Sequence, residues 1–486
     1  MINIIKDYII NKVVRGYKNL SAPAKASLFY TLSNIMNNGV AFLSTPFFTR
    51  ILSQEEYGTV SLYYSWFTII SVFATFQFPS GVFNKAMIKY EDDRDGYTSS
   101  MLTLTSLCTA FLFGIYILTH KFLEQLVSLS LPMVTMMFLD IFLTSIVLFW
   151  TIRERFEFRY KAVVIVSVGA NVLATIVSLL LTIYISGDKA FLKILGVVSV
   201  HLIIYSYLFF VIFRKGKKIV SREYWKYSFA YNLPLIPHYL SQQVLNQSDR
   251  IMIDNICGKA DTAAYSLAYQ IAIVMQIITS AIHASFMPWT FQKLKDGEAK
   301  EIGKRAVQIE LMIGLACVVF PLFAPEFVYI LGGEKYHRAI YIIPPVAMSV
   351  LFITIYDFFG NIEFYFEKTK FVMVASTLVA VANLVLNALM IPVFGFVAAG
   401  YTTLICYILY SVVHYIFMRV VCRQNNIEVP YNGVKVWGIS IAFTILSVFV
   451  SFIYDYFVLR YCFIVVMAII VAILLRKNKD IIKQVL

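Results

Sequence analysis

Apolar residues in this chain run in blocks, each closed by charged or turn-forming residues. A helix that crosses a bilayer needs about 20 such residues. Windows of that kind fall near 27–48, 59–83, 99–119, 126–150, 162–185, 191–213, 228–248, 263–287, 307–331, 339–362, 371–391, 396–418, 434–454 and 457–475, which predicts fourteen transmembrane helices. The seventh window departs from the rest, because it also carries Asn232, His238, Gln242, Gln243, Asn246 and Gln247. At about 100° per residue, Asn232, Tyr239, Gln243, Asn246 and Arg250 share one side, all within about 40° of Asn232. An unpaired polar group in hydrocarbon costs several kcal/mol, so this stripe is expected to face other helices or a water-filled cavity. Pro234 and Pro237 are expected to distort the first turns of that helix.

A weaker version lies earlier. Asn34, Asn37, Asn38 and Thr45 precede Arg50-Ile51, as the polar stretch precedes Arg250-Ile251 at an offset of 200. The two read as equivalent first helices of two halves, lining one cavity. Gly58-Thr59-Val60-Ser61-Leu62-Tyr63-Tyr64 likewise resembles Ala263-Ala264-Tyr265-Ser266-Leu267-Ala268-Tyr269, at an offset of 205. Six helices per half is an even number, so both halves enter the membrane from one side and the repeat is parallel. The expected fold is an all-α polytopic membrane protein. Two pseudo-symmetric six-helix lobes, 27–213 and 228–421, surround a central cleft and are joined by a cytoplasmic linker, 214–227. An accessory helix pair, 434–475, and a cytoplasmic tail, 476–486, follow. Residues 1–26 place Ile2, Ile5, Ile9, Val13 and Tyr17 at helical spacing among Lys6, Lys12, Arg15 and Lys18. That predicts a cytoplasmic amphipathic segment on an anionic membrane face, and the stretch is too polar for a cleavable signal peptide.

Composition agrees with this reading. The chain of 486 residues is 59% hydrophobic and 14% charged, where a soluble protein carries about 25% charged residues. A net charge of +13 would suit nucleic acid, but the positions of the basic residues point elsewhere. With the amino terminus inside, the outer segments hold Arg50, Lys121, Lys189, Lys193, Arg250, Lys259, Lys335, Arg338 and Arg460, and the rest of the 41 lie on the cytoplasmic side. That is the positive-inside pattern, with both termini cytoplasmic and the bilayer, not nucleic acid, as partner. The six cysteines are scattered without CxxC, so neither a metal site nor a disulfide framework is expected. No P-loop sequence occurs, and no connection is long enough for a soluble catalytic module. A non-enzymatic protein without a cofactor is expected.

Asp140 lies near the middle of the fourth window. A charged, unpaired acid there costs at least about 2.5–3.5 kcal/mol, so it is expected to be protonated, paired or facing water. Asp140, Asp357 and His238 are the candidates for ion coupling, with Asp357 near enough to its helix end to snorkel. Glu310 is expected at the interface. His201, His238, His283 and His414 lack the recurrent spacing of metal ligands and read as neutral rings bonded to neighbouring helices. Arg50 and Arg250 are expected at the outer ends of their helices. They read as phosphate-binding forks, or as interfacial anchors, with Arg250 paired to Asp249. Glu91-Asp92-Asp93-Arg94-Asp95 contains a DxD pattern but has no nucleotide-binding fold around it, and reads as a solvated acidic loop. The substrate-binding set expected in the cleft is Asn34, Asn38, Arg50, Asn232, Tyr239, Gln243, Asn246 and Arg250, with Tyr231, Tyr239 and Tyr265 available to stack on sugar rings.

Arg50-Ile51-Leu52-Ser53-Gln54-Glu55-Glu56-Tyr57-Gly58, followed by Ser61-Leu62-Tyr63, resembles the first-half signature of the polysaccharide-biosynthesis flippases. These are the Wzx-type O-antigen and capsule repeat-unit translocases of the multidrug/oligosaccharidyl-lipid/polysaccharide exporter superfamily. Asp249-Arg250-Ile251-Met252-Ile253, Ala263 to Tyr269 and Phe286-Met287-Pro288-Trp289 resemble the second-half signature. Asn383, Asn387, Ile391-Pro392, Gly395 and Ala398-Ala399-Gly400 resemble the turn between helices eleven and twelve. The resemblance implies two lobes that alternate between inward-open and outward-open states in a bacterial inner membrane. It implies a substrate of undecaprenyl-pyrophosphate bearing an oligosaccharide, moved from the cytoplasmic to the outer leaflet. An H⁺ or Na⁺ gradient or downstream consumption of product would drive it, with polymerase and other glycan-assembly proteins as partners. A cation-coupled multidrug exporter of the same superfamily is the alternative transporter, and a membrane polysaccharide polymerase or ligase the alternative enzyme. Amides and arginine in the stripe favour an anionic, sugar-bearing cargo. Outer loops this short disfavour the enzyme.

Overall fold

The structure, a computed structural model, describes residues 21–477, so most of the expected amphipathic segment and cytoplasmic tail lies outside the described residues. Helices of at least 20 residues fall on each of the fourteen windows. Ten of the described helices are long and apolar enough to cross a membrane. Large apolar side chains stand on their outer surfaces, among them Leu118 at 86% and Ile203 at 74% exposure. In water such a surface is an aggregation hazard, whereas in lipid it is the favourable arrangement, with the helices satisfying their own backbones. The protein is an all-α polytopic membrane protein.

The helices form two compact units. One takes the chain up to Ile51 and from Phe67 to Ile236; the other takes Leu52–Trp66 and the chain from Pro237 onward.

The first unit contains α1 (Ala22–Ile51), the second half of α2 (Gln54–Thr75), the short α3 (Val82–Lys89), α4 (Arg94–Val127), α5 (Leu131–Phe156), α6 (Tyr160–Tyr184), α7 (Lys189–Gly216) and α8 (Arg222–Asn232). Its main packing pairs are α6 with α7, α1 with α6, α5 with α7 and α4 with α5. Where α6 meets α7, Gly196 lies so close to Ser178 that a Cβ there would collide with it. Small residues of this kind let membrane helices approach closely. The second window closes early. Phe76 and Gln77 take positive φ (47° and 51°), and Pro79 and Gly81 follow, so the chain turns at Thr75 instead of running helical to residue 83.

The acidic stretch at Glu91–Asp95 is not a solvated loop. It forms a 3-10 turn and the start of α4. Arg153 clamps Asp95 through Nε and Nη2 at 2.6 and 3.0 Å. Asp93 accepts from Lys218 and, at 2.6 Å, from the Tyr224 hydroxyl. Glu154, buried, is met by Arg153, Arg159 and Lys215 at 3.3, 3.5 and 3.7 Å. Basic residues from several helix ends converge here and draw the acids in. The bond to Asp93 holds the Lys218 ammonium above the usual lysine range.

The second unit contains the first half of α2, then α9 (Ile236–Cys257), α10 (Lys259–Lys295), α11 (Ala299–Leu322), α12 (Ala324–Leu331), α13 (Ile343–Tyr365), α14 (Thr369–Phe394), α15 (Val397–Gln424), α16 (Gly433–Phe452) and α17 (Phe457–Lys477). The apolar helix α13 is covered by α10, α11, α15 and α16 and carries the middle of the core, with Leu351, Ile355, Phe358 and Phe359 buried. Glu310 is not interfacial as expected. It is 1% exposed and accepts from Ser440 of α16 at 2.8 Å. The cause is packing of α16 against α11, which covers the face that carries it. Arg460 on α17 pairs with Glu326 through two bonds of 2.9 and 2.6 Å.

The prolines do more than distort the polar helix. They break it. Helix α8 ends at Asn232, Leu233–Leu235 form a 3-10 turn, and α9 starts at Ile236. Proline lacks the N–H that an uninterrupted helix needs. Asn232 is therefore separated from the stripe and lies in the first unit. It is fully buried, accepts from the Val82 N–H and donates to the Phe76 carbonyl, both at 2.9 Å. It ties down the turn after α2 and is not a cleft residue.

Arg250 is also displaced from its expected place. Arg50 stands in the last turn of α1, but α9 continues past Arg250 to Cys257. The next helix starts at Gln54 after Arg50 and at Lys259 after Arg250, five residues later in the second half, which is the difference between the repeat offsets of 200 and 205. After Arg50 the next helix is started by reciprocal capping, with Ser53 N–H on Glu56 Oε2 (2.8 Å) and Glu56 N–H on Ser53 Oγ (3.1 Å). After Arg250 the stop comes later, at Gly258, whose φ of +95° suits glycine.

Candidate functional site: the amide and arginine face of α9

Residues one turn apart on α9 build a ladder. Gln242 Nε2 donates to the Tyr410 hydroxyl at 3.4 Å. Asn246 Nδ2 donates to the Gln242 carbonyl at 2.8 Å, and its Oδ1 accepts from Tyr407 at 3.2 Å. Arg250 Nη1 donates to the Asn246 carbonyl (2.9 Å) and to Gln247 Oε1 (3.2 Å). The same Gln247 oxygen accepts from Ser65 of α2 at 3.2 Å. The guanidinium carbon lies 4.6 Å from the Tyr269 ring centroid and 5.7 Å from that of Tyr265. A guanidinium over aromatic faces is held in orientation at a half-desolvated site. Gln242, Gln243, Asn246, Gln247 and Arg250 are all half-buried. Nε and Nη2 of Arg250 make no hydrogen bond among the described residues, which leaves one side of the fork for an anion.

The structure thus brings Tyr239, Gln243, Asn246 and Arg250 onto one helix. The bonded ladder, however, runs through Gln242, Asn246 and Arg250. Gln243 makes no hydrogen bond among the described residues. Tyr239 is half-buried, beside the ring of His238 at 5.9 Å.

Asp249 does not pair with Arg250. One residue along a helix is a turn of about 100°, which carries Asp249 to the buried side. It is 1% exposed and accepts from Tyr265 Oη (2.5 Å), Asn387 Nδ2 (2.6 Å) and Thr403 Oγ1 (2.8 Å). Asn387 accepts in turn from Thr402, and Asn383 Oδ1 accepts from Ser248 at 2.9 Å. Tyr265 is therefore committed to Asp249 and fully buried, and cannot stack on a sugar. This network fixes α9, α14 and α15 to one another, and so fixes the direction in which Arg250 leaves the helix.

The first-half counterparts are built differently. Asn34 and Asn38 are exposed and make no hydrogen bond among the described residues. It is Asn37 that bonds, to Ser167 at 2.8 Å and with Asn171 at 3.2 Å. Arg50, exposed, donates to the Pro46 carbonyl at 2.8 Å, as Arg250 donates to the carbonyl four residues before it.

Of the coupling candidates, Asp140 is buried and paired, with His201 Nδ1 at 2.6 Å from Oδ1 and the His201 ring stacked on Tyr205. Asp357 is half-buried and makes no hydrogen bond among the described residues. His238 Nδ1 meets Ser376 Oγ at 3.1 Å. All four intramembrane histidines are bonded to a neighbouring helix, His283 to Asn361 at 3.2 Å and His414 to Glu363 at 3.0 Å. Sequence reading missed that two of those partners are acids. Each partner lies far along the chain on another helix, and Glu363 falls one residue past its apolar window. Among the described residues no group of three or more His, Cys, Asp or Glu could hold a metal ion.

The fold is that of a class of membrane transporters. The inward closed conformation of the lipid II flippase MurJ superposes with a TM-score of 0.70 at 12% identity, covering 93% of this chain and 99% of that one. An inward-facing multidrug resistance MATE family transporter of the MOP superfamily gives 0.62 at 14% identity, covering 80% and 96%. The chain belongs to the polysaccharide biosynthesis protein family, which matches residues 24–294. The MatE family matches residues 234–389. A protein of the Lsg locus of Haemophilus influenzae is 23% identical over 381 residues, 74% of this chain and 90% of its own length.

Proposed function

We propose that this protein is a flippase that moves undecaprenyl-pyrophosphate-linked oligosaccharide repeat units, of O-antigen or capsule type, from the cytoplasmic to the outer leaflet of a bacterial inner membrane by alternating access. The observation that carries this is the face of α9, where Arg250 leaves Nε and Nη2 open beside the half-buried amides of Gln242, Gln243 and Asn246. A pyrophosphate is an anion with oxygens spaced for a guanidinium fork. A glycan offers hydroxyls, for which neutral amides are the matching partners. Neither group crosses hydrocarbon unaided, while a polyprenyl tail is at home in lipid. Membership of a polysaccharide biosynthesis family supports the substrate class. Asp140, Asp357 and His238 are the proposed points of coupling to H⁺ or Na⁺.

The test is deletion of the gene in a glycan-producing bacterium, followed by extraction of the lipid-linked intermediates. The reading expects complete repeat units to accumulate on the cytoplasmic leaflet. The MatE match favours a second reading, a cation-coupled multidrug exporter. Normal surface glycan with altered drug sensitivity would select it.

A further inference from the structure

Glu363 and His414 lie behind the α9 face, with Tyr410 touching both His414 and Gln242, and have no part in the transport proposal above. Glu363 is two residues from the end of α13, and His414 is on α15. Their exposures are 0% and 1%. His414 Nδ1 stands 3.0 and 3.1 Å from the two carboxylate oxygens. Its Nε2 is buried and has no hydrogen-bond partner among the described residues. Among the described residues His414 is the one group that ion-pairs with Glu363. The titratable neighbours are Asp357 and Tyr356 of α13, Tyr410 of α15 and His283 of α10. The Tyr410 and Tyr356 rings lie 4.7 and 5.5 Å from the imidazole. His283 is bonded to Asn361. On the other sides of α13, Glu310 of α11 is held by Ser440 of α16, and Tyr431 donates to the Phe358 carbonyl. Helix α14 offers Ser376, bonded to His238.

The pair has two protonation states, and each carries a defect. With a neutral imidazole donating from Nδ1, the pair bears one uncompensated negative charge in a buried place, which is costly. With one proton added the net charge is zero, but Nε2 then carries a hydrogen with no acceptor, also costly. Opposed penalties of this kind leave a site able to change state when its surroundings open.

We propose that Glu363 and His414 together bind one exchangeable proton, taken from water onto His414 Nε2 and returned from it to water during the transport cycle. This rests on the transporter reading.

The test uses the full-length protein in lipid nanodiscs with ¹⁵N-labelled histidine. Six histidines are present, and His414→Gln identifies the signal. The pH is varied across the range in which histidines change charge, and the His414 signal is expected to report the gain of one proton. Glu363→Gln is expected to change the pH response of that signal, since the imidazole loses its carboxylate partner. A His414 signal unchanged over that range, or a step that Glu363→Gln leaves in place, overturns the proposal. A second arm measures delivery of surface glycan against pH. Both variants are expected to lose the pH dependence that the unaltered protein shows. Profiles parallel to the unaltered protein would sink the coupling. If the unaltered protein delivers no glycan while His414 titrates as stated, the flippase reading fails and the proton site stands.

Discussion

Arg250 lies over the ring of Tyr269, its guanidinium carbon 4.6 Å from the centroid. The contact orients the cation, and the carbonyl of Asn246 and the amide oxygen of Gln247 hold one end of it.

Arg250→Ala is expected to abolish surface glycan while membrane-inserted protein stays at its normal level. Arg250→Lys keeps the charge but loses the planar fork, so partial delivery is expected. Immunoblotting of membranes beside glycan staining separates the two effects. If Arg250→Ala lowers only the protein level, Arg250 is an anchor.

Asp249→Asn places an amide where a carboxylate accepts three bonds, and sets its NH₂ against the donors Asn387, Thr403 and Tyr265. Bonds to a charged acceptor are worth about 1.5–3 kcal/mol each, so a loss of about 2 kcal/mol or more in stability is expected. Thermal unfolding of the purified protein reads this. An unchanged midpoint would show that the network does not hold α9 in place.

Much of this was legible in the chain. Helix positions follow from apolar length alone, because lipid forces the backbone to satisfy itself. The special character of Asn246 and Gln243 showed as amides inside an apolar window, and that of Arg250 as a cation just past its end. What stayed hidden was partnership. Asn232 fits the stripe by angle, yet Pro234 and Pro237 break the helix between them. Asp249 is adjacent to Arg250 in sequence, but its partners Asn387 and Thr403 come from helices more than a hundred residues away. No periodicity in one helix shows which side chain of another helix completes a bond. The same holds for Asp140 with His201 and for Glu363 with His414.

Asp140→Asn removes the charge that faces His201 at 2.6 Å. Weaker transport with a flatter pH profile is expected, measured as surface glycan across external pH. Unchanged transport at every pH would take Asp140 off the list of coupling groups.

Arg460→Ala leaves Glu326 without its bidentate partner and the Leu322 carbonyl without its donor. Breaking a buried pair costs about 3–5 kcal/mol, and the partial exposure of Glu326 places this one at or below the low end. The double variant with Glu326→Ala is expected to recover part of the loss. A thermal midpoint unmoved by Arg460→Ala would mean that α17 is not secured through this pair.

The most direct measurement is the wetness of the α9 face. In a variant whose six native cysteines are replaced, single cysteines at Gln243 and Asn246 would be exposed to a membrane-impermeant maleimide, in intact cells and in inverted vesicles, with the buried Leu245 as control. Labelling of both positions, slowed by added lipid-linked oligosaccharide and absent at Leu245, is expected. Failure of Gln243→Cys and Asn246→Cys to react from either side would contradict the account.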